Sequence, residues 1–194
     1  MKESVNISIF ASGSGSNAEN LILYFKNHPS ISVNHIFCNK PTAFVLERAK
    51  KFDINTTVFS RHDFYETQNV IKKLNEVKTD FIVLAGFLWL IPQNFIDSFR
   101  GKIVNIHPAL LPKYGGKGMY GNFVHEAVVK NKENETGITI HWVDEHYDHG
   151  DVIFQKSVKV EPLDTPEDVA AKVHQLEYEY FPGVVEEVIN KKFL

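Results

Sequence analysis

An amide and an imidazole lie two residues apart in the segment Asn105-Ile106-His107-Pro108. The apolar residues from 102 to 106 predict a β-strand, so the pair lies at or just past a strand end. Side chains two residues apart can point to the same side of a sheet, and Pro108 and Pro112 prevent a helix from starting there. An Asn amide and a cationic His aimed at one point suit the binding of an oxyanion that develops on a carbonyl. On spacing alone, an asparagine turn next to a buried structural histidine explains the pair equally well.

The segment Ser12-Gly13-Ser14-Gly15-Ser16-Asn17 separates a predicted strand from a predicted helix. Glycines let backbone N–H groups approach a ligand, and the N-terminus of a helix favours an anion. Ser16 and Asn17 can cap the helix or donate hydrogen bonds to phosphate oxygens. We therefore predict a phosphate-binding turn, with a plain tight turn as the alternative. The glycine spacing also matches a dinucleotide-binding fingerprint, but Asn39-Lys40 stands where that fingerprint needs an acid.

Residues 144–151 form an acidic, histidine-bearing loop between two predicted strands. No HExxH motif or cysteine pair frames them, so we predict a solvated hairpin loop and no metal. A carboxylate of this loop near His107 would raise the pKa of the imidazole and favour its protonated form. The residues that a metal site would use as ligands are His141, Asp144, His146, Asp148, His149 and Asp151.

The composition limits the classes of protein that the chain can represent. Its 194 residues, 43% of them hydrophobic, can bury one sizeable core and indicate one domain. A net charge of -3 lacks the basic excess of a nucleic-acid-binding surface. Cys38 is the only cysteine, which excludes an intrachain disulfide and indicates a reduced, cytoplasmic protein. We expect no signal peptide, and the longest apolar run, residues 81–91, is about half of a membrane span of roughly 20 residues.

Strand and helix signals alternate along the first hundred residues, which predicts a parallel, doubly wound α/β sheet. Predicted strands cover residues 5–11, 31–38, 56–59, 81–85 and 102–106, and a later hairpin pairs 136–143 with 152–160. One helix is predicted from about Asp63 to Val77. A closing helix begins at Asp164-Thr165-Pro166-Glu167, and we predict that Pro182-Gly183 interrupts it.

Four motifs together resemble one known family. In family order they span nearly the whole chain: Ser12 to Asn17, Leu84-Ala85-Gly86-Phe87, Asn105-Ile106-His107-Pro108-Ala109-Leu110-Leu111-Pro112 and the loop around Asp148. The third motif resembles that of formyltetrahydrofolate-dependent transferases in general. The early Gly-Ser-Asn turn favours the phosphoribosylglycinamide formyltransferase family, which acts in purine synthesis. The resemblance implies a three-layer, Rossmann-like α/β fold with a mostly parallel twisted sheet, a C-terminal β-hairpin and a terminal helix.

The resemblance also implies a reaction and a set of site residues. The formyl group of the co-substrate 10-formyltetrahydrofolate would pass directly to the glycinamide amine of 5'-phosphoribosylglycinamide, without a metal. The implied catalytic residues are Asn105, His107 and Asp148. Gly15, Ser16 and Asn17 would bind the phosphate of the acceptor, and Glu177 its ribose. The implied folate-binding residues are Arg61, Leu88, Trp89, Leu90, Ile91, Asn105 and Asp144.

Two segments depart from the family pattern. Leu88-Trp89 stands where many relatives have Met-Arg, which removes one arginine side chain and leaves the backbone contacts. By residue type, 88–91 are core residues or line a pocket for a flat heterocycle. The glycine-rich residues 115–121 replace a Pro-Gly-x-x-Ala/Thr-His pattern, so no side-chain role is carried over from Lys113 to Tyr120.

Other functions stay open at the level of the sequence. On the same scaffold, the acceptor could be methionyl-tRNA, an amino sugar, or water in a formyltetrahydrofolate hydrolase. A tRNA-directed enzyme needs a further domain and a basic surface, and a hydrolase usually has an additional N-terminal domain; we expect neither here. From a different class, the alternative is a dinucleotide-binding oxidoreductase or sensor built on residues 13–18.

We expect one domain over residues 1–194, with a phosphate-binding half, 1–100, and a catalytic and folate-binding half, 101–194. The expected partners are the two small-molecule substrates. Nucleic acid and membranes are not expected partners, and the sequence leaves a weak homodimer open.

Overall fold

Strands and helices alternate along most of the chain. The computed structural model describes residues 3–194. Its strands are β1 (Val5–Ala11), β2 (Ile31–Cys38), β3 (Asn55–Val58), β4 (Phe81–Leu84), β5 (Ile103–His107), β6 (Glu135–Trp142) and β7 (Val152–Lys159). Its helices are α1 (Ser16–Phe25), α2 (Val45–Lys51), α3 (Arg61–Tyr65), α4 (Asn69–Glu76), α5 (Gln93–Ser98), α6 (Asn122–Lys130) and α7 (Pro166–Phe193). Each predicted strand is confirmed to within one residue at either end.

Within residues 3–194 the strands join one sheet in the order β3-β2-β1-β4-β5-β6-β7. The pairings among β1 to β5 are parallel, whereas β6 is antiparallel to β5 and β7 is antiparallel to β6. This confirms the predicted mostly parallel sheet with a C-terminal hairpin. Phe10 of β1 is level with Leu84 of β4, and Leu84 with Asn105 of β5. The segments that follow these three strands therefore start side by side at one edge.

Each face of the sheet has its own apolar core. Ile7 and Ile9 of β1 face one core, where helices α1 and α7 also bury side chains. Phe10 faces the other, where its ring stacks on Phe37 of β2 with centroids 4.9 Å apart and Phe64 of α3 packs nearby. Alternate strand residues point to opposite faces, and burying a side chain of this size contributes about 1.5–3 kcal/mol. Helices on both faces give the three layers.

The single helix predicted from Asp63 to Val77 is wrong, because two shorter helices, α3 and α4, cover this region. Thr67 lies in the break between them. Its hydroxyl donates to the carbonyl of Asp63 and accepts from the backbone N–H of Asn69. A side chain that bonds to backbone groups in this way competes with helical hydrogen bonds and favours a turn.

The predicted interruption of the last helix at Pro182 is also wrong, because α7 continues for 28 residues with this proline inside it. Proline has no N–H, so the carbonyl four residues earlier, that of Tyr178, loses its helical donor. The side chain of Asn20 in α1 supplies a replacement, since its Nδ2 donates to the Tyr178 carbonyl at 3.0 Å. Tertiary structure thus compensates for the local defect. None of the helices within residues 3–194 is long and apolar enough to cross a membrane.

We expect Asn20→Ala to lower the free energy of unfolding by about 0.5–1.5 kcal/mol, because the Tyr178 carbonyl loses its donor. In a Pro182→Ala background the loss should be smaller, since residue 182 then provides its own N–H to that carbonyl. Urea denaturation of the two single variants and the double variant measures this coupling. Equal losses in both backgrounds would show that Asn20 does not compensate for the proline.

Candidate active site

A cleft of about 570 Å³ opens at the edge of the sheet where the parallel strands end. The turn after β1, residues 12–17, lines it together with residues 85–88 after β4 and 105–108 at the end of β5. Lys40, loop residues 116–121, Tyr147 and Asp148 complete the lining with side chains of α6 and α7. Ligand sites of open α/β sheets occur at this edge. The predicted phosphate turn and the Asn105–His107 pair therefore share one cleft.

Asn105 and His107 belong to β5 itself and are its third and last residues. On β6, their antiparallel partners are His141 and Thr139. The buried Thr139 hydroxyl donates to the carbonyl of Ala109 and accepts from the N–H of Leu111. These bonds fix the segment between Pro108 and Pro112 that follows the strand. His107 is therefore held by its pairing with β6 and by the fixed segment that comes directly after it.

The hydrogen bonds of His107 identify the nitrogen that can gain or lose a proton. Nε2 lies 2.7 Å from the carbonyl oxygen of Tyr114, which can only accept, so Nε2 is protonated in both charge states of the ring. Nδ1 lies 3.6 Å from Oδ1 of Asp148. Nδ1 is therefore the nitrogen that titrates, and it does so next to a carboxylate.

The side chain of Asn105 is oriented by His141. Nδ1 of His141 donates to the backbone carbonyl of Trp142 at 2.7 Å, so the neutral ring accepts at Nε2. Nδ2 of Asn105 lies 3.1 Å from that Nε2 and donates to it. The amide nitrogen, not the oxygen, therefore faces this group, and its second hydrogen is directed at Oδ1 of Asp148, 3.5 Å away.

Asp148 connects these groups to the glycine-rich loop. Its Oδ1 lies 3.5 Å from Nδ2 of Asn105 and 3.7 Å from Nε2 of His141, and its Oδ2 accepts from the N–H of Gly116 at 2.9 Å. The backbone of Asp148 has a φ of 57°, in the left-handed region that non-glycine residues rarely adopt. The structure brings the three predicted catalytic residues together, and Asp148 is not one of the solvated charges of its loop.

Burial decides the charge of His107 in the described structure. Desolvation lowers the pKa of the imidazole, and the nearby Asp148 and the Tyr114 carbonyl raise it by less, so the net pKa is below its usual value. For Asp148, burial raises the pKa, but the neighbouring rings of His141 and His107 and the N–H of Gly116 together lower it by more, so the pKa of the carboxyl stays below its usual value. Asp148 favours a protonated His107 as the sequence predicts, yet the net shift has the opposite direction.

The predicted phosphate turn leads directly into α1. Gly15 has a φ of 74°, and a Cβ there would overlap the side chain of Val45. The first intrahelical bond runs from Glu19 N to Gly15 O, and no side chain of the described residues caps the helix. The N–H groups of Ser16 and Asn17 therefore precede that bond at the positive end of the helix dipole, where an anion binds favourably.

Glu177 of α7 lies at the same end of the cleft as this turn. It is buried, with 4% exposure, and its Oε2 accepts from Nδ2 of Asn17 at 2.9 Å and from Nδ1 of His174 at 2.8 Å. The hydrogen bond to Glu177 raises the pKa of His174 although burial opposes it. One of these two bonds, the one from Asn17, ties the predicted ribose-binding acid to the phosphate turn.

The predicted folate residues divide between three places. Leu88 lines the main cleft, whereas Trp89, Leu90, Ile91, Asn105 and Asp144 line an adjoining pocket of about 50 Å³. The carbonyl of Leu90 accepts from the Tyr65 hydroxyl, so this backbone group is already used within the protein. Arg61 lines neither cavity, and its guanidinium lies over the rings of Tyr65 and Trp89.

Sequence reasoning missed four groups that the structure places in the site. His141 was considered only as a metal ligand, and the carbonyl of Tyr114 and the N–H of Gly116 lie in a loop without assigned roles. His125 of α6 lines the cleft and was not considered at all. Over the part of the chain that the structure describes, no three His, Cys, Asp or Glu side chains are grouped as metal ligands.

Comparison with known proteins identifies the class of this fold and cleft. The formyl transferase family profile matches residues 5–185, so the chain belongs to that family. It is 34% identical over 187 residues to phosphoribosylglycinamide formyltransferase of Bacillus subtilis (strain 168), covering 94% of this chain and 93% of that protein. The same identity and length hold for phosphoribosylglycinamide formyltransferase of Escherichia coli (strain K12), with 93% and 85% covered. The crystal structure of the Bacillus halodurans protein of that name superposes with a TM-score of 0.85, at 34% identity and 96% coverage of both chains.

The burial of His125 predicts acid sensitivity. Burial first, and then the charge of His174, lower its pKa from 6.5 to about 4. Between these two values the unfolded chain binds a proton that the folded chain does not, so stability present above pH 6.5 is lost as the pH falls towards 4. The loss from this one group approaches about 1.4 kcal/mol per pH unit.

Urea unfolding of the parent and of His125→Gln at several pH values between 7.5 and 4.5 checks this expectation. The slope of unfolding free energy against pH should be shallower in the variant, by the amount that corresponds to nearly one bound proton. His107 and His174 remain in both proteins, so the difference reports His125 alone. Identical slopes would show that His125 is not held neutral by the fold.

Proposed function

We propose that the chain transfers the formyl group of 10-formyltetrahydrofolate to the glycinamide amine of 5'-phosphoribosylglycinamide, a step of purine synthesis. The observation that supports this most is the approach of Asn105, His107 and Asp148 to one another in a cleft that also contains an uncapped helix N-terminus. An amide, an imidazole and a carboxylate suit acyl transfer, and the helix suits a phosphate. The similar proteins of Bacillus subtilis and Escherichia coli are named phosphoribosylglycinamide formyltransferase, which agrees with both the acyl transfer and the phosphate binding.

The acceptor would lie along the cleft from the phosphate turn to β5. Gly15, Ser16 and Asn17 would bind its phosphate, and Glu177 would accept hydrogen bonds from its ribose. We propose that residues 1–194 act as one domain in which the first hundred residues supply the phosphate turn and the rest supply the catalytic side chains. Asn17 and Glu177 are hydrogen-bonded across this division, which supports a shared site.

The formyl donor would occupy the adjoining pocket. Trp89, Leu90 and Ile91 offer apolar walls for a flat heterocycle, Leu88 borders the main cleft, and Asp144 is a polar group at the rim. Arg61 would contact the outer part of the donor, because its guanidinium lies over the ring of Trp89 outside the cavity. Asn105 lines both cavities and would therefore contact the group that is transferred.

Attack of the amine forms a bond to the formyl carbon and moves the carbonyl electrons onto oxygen. An N–H of Asn105 would bind this oxyanion in exchange for its long, 3.5 Å contact with Asp148, because His141 fixes the amide with its nitrogen in this position. The amine must then lose one proton, and the folate nitrogen must gain one as its bond to the formyl carbon breaks.

The neutral state of His107 assigns it the transfer of that proton. Asp148, with a water that it orders, would pass the proton of the amine to Nδ1 of His107, 3.6 Å away. The imidazolium formed there is stabilised by the carboxylate and the Tyr114 carbonyl, and Nδ1 then donates to the departing nitrogen. His107 would thus shuttle the proton, whereas the sequence favours a protonated imidazole through its neighbouring carboxylate.

A spectrophotometric assay of tetrahydrofolate release tests the proposed function. With 10-formyltetrahydrofolate, release should require 5'-phosphoribosylglycinamide and form its N-formyl product. Release in the absence of the ribonucleotide would identify a hydrolase, and release only with an amino sugar would identify a different transferase. Either result would overturn the proposal.

Asp148→Asn should lower kcat by at least about 100-fold, because the amide can neither carry a proton nor stabilise the His107 imidazolium. The N–H of Gly116 can still donate to the Asn oxygen, so the melting temperature should change little. Asp151→Asn, an exposed isosteric change in the same loop, is the matched control and should keep parental turnover. Near-parental turnover of Asp148→Asn would exclude the role of this carboxylate.

Two expectations from the sequence accompany this proposal. The single buried cysteine, whose thiol pKa is raised by burial, agrees with a reduced cytoplasmic setting. A weak homodimer stays a prediction.

A further inference from the structure

The cleft contains a histidine that neither the proton transfer nor the phosphate turn uses. His125, in the first turns of α6, is 2% exposed and lines the cleft. Its Nδ1 is fully buried and has no hydrogen-bond partner. A buried polar atom without a partner costs free energy, and most such atoms in folded proteins are paired. A leucine of similar size would avoid this cost, so the imidazole needs a reason to be there.

The second ring nitrogen points to the reason. Nε2 has no hydrogen bond within the described residues and is not among the fully buried atoms, so it is the ring nitrogen that a cleft ligand can reach. Burial lowers the pKa of the ring, so the ring is neutral near pH 7 and carries one proton. That proton is either on the buried Nδ1 or on the accessible Nε2. Placing the proton on Nε2 avoids a buried N–H without an acceptor. A neutral donor then faces the cleft.

The neighbours of His125 indicate which part of a ligand would meet it. Its ring centroid is 6.4 Å from that of His174, the hydrogen-bond partner of Glu177. Glu177 and His107 both act electrostatically on its ring. His125 therefore lies near both the acid expected to hold the ribose and the histidine expected to move the proton. A phosphate would meet the helix N-terminus of α1 instead, where the free N–H groups are.

We propose that His125 is a positioning residue for the acceptor, whose Nε2–H donates a hydrogen bond to a sugar oxygen between the phosphate and the amine. This rests on the proposed function of the cleft. The contact is with an uncharged oxygen, which a neutral imidazole suits better than a cation that would need a counter-charge. It would fix the distance between the phosphate turn and the reacting nitrogen.

Three substitutions separate this role from a space-filling one. His125→Gln places an amide near the Nε2 position, His125→Asn places one near the Nδ1 position, and His125→Leu has neither. Glu126→Gln, an exposed change on the same helix, is the control. The probes are 5'-phosphoribosylglycinamide, ribose 5-phosphate and inorganic phosphate, each measured by calorimetry, together with steady-state kinetics.

We expect His125→Leu and His125→Asn to weaken binding of the ribonucleotide and of ribose 5-phosphate by about 3- to 10-fold, the effect of one neutral hydrogen bond. Binding of inorganic phosphate and the KM for 10-formyltetrahydrofolate should not change. His125→Gln should restore most of the affinity. If His125→Leu does not fold, the comparison of Gln with Asn gives the same information.

Unchanged sugar-phosphate affinity in His125→Leu would overturn the proposal. Equal losses in the Gln, Asn and Leu variants, or an equal loss for inorganic phosphate, would do so too, because they would indicate a packing role. A failure of the proposed function would look different: the parent would release no tetrahydrofolate with the ribonucleotide, while the ribose 5-phosphate comparison would still report the sugar contact.

Discussion

The carboxylate of Asp148 is the constraint on which the arrangement of the site depends. One oxygen lies within 3.7 Å of nitrogen atoms from Asn105, His107 and His141, and the other holds the N–H of Gly116. These groups come from two strands and two loops that are far apart in sequence. The carboxylate accepts hydrogen bonds from Asn105 and Gly116 and lies beside both imidazoles only while all of these groups stay in place, so the glycine-rich loop and the acidic loop are fixed relative to the sheet by the same side chain.

Burial and charge oppose each other at this site, and their balance decides the chemistry. A carboxylate alone would keep His107 protonated, but the ring is only 4% exposed, and desolvation outweighs the attraction. The result is an imidazole with one permanently protonated nitrogen, held by the Tyr114 carbonyl, and one that is free to gain a proton. His174, which is half exposed and bonded directly to Glu177, shows the opposite balance. One cleft thus contains histidines with opposite tendencies.

The sequence predicts the sheet and places Asn105 and His107 at its edge, because strands with buried faces are apolar and the ends of parallel strands meet at one edge, whereas Asp148 follows only from the resemblance to the family. It could not predict His141, since its contact with Asn105 depends on the register of an antiparallel pair that only the folded sheet defines. The continuous helix through Pro182 escapes a sequence reading for a similar reason, because the compensating donor, Asn20, is 158 residues from the Tyr178 carbonyl that it reaches. The net pKa of His107 required knowledge of burial as well as of charge.

Hydrogen bonds join the turn after β1 to the segment after β4 and to α2. They involve the backbone of the turn and the side chain of its first residue, Ser12. Ser12 accepts from the N–H of Leu88 through its hydroxyl and donates its own N–H to Gly86, while the carbonyls of Gly13 and Ser14 accept from Val45 and Arg48. Each of these hydrogen bonds forms only if the number of residues in the turn, and in the segment that it contacts, stays the same. Insertions and deletions between residues 12 and 17, or between 86 and 88, would shift these two lining segments of the cleft relative to each other. Natural length variation in this family should therefore fall outside these two segments.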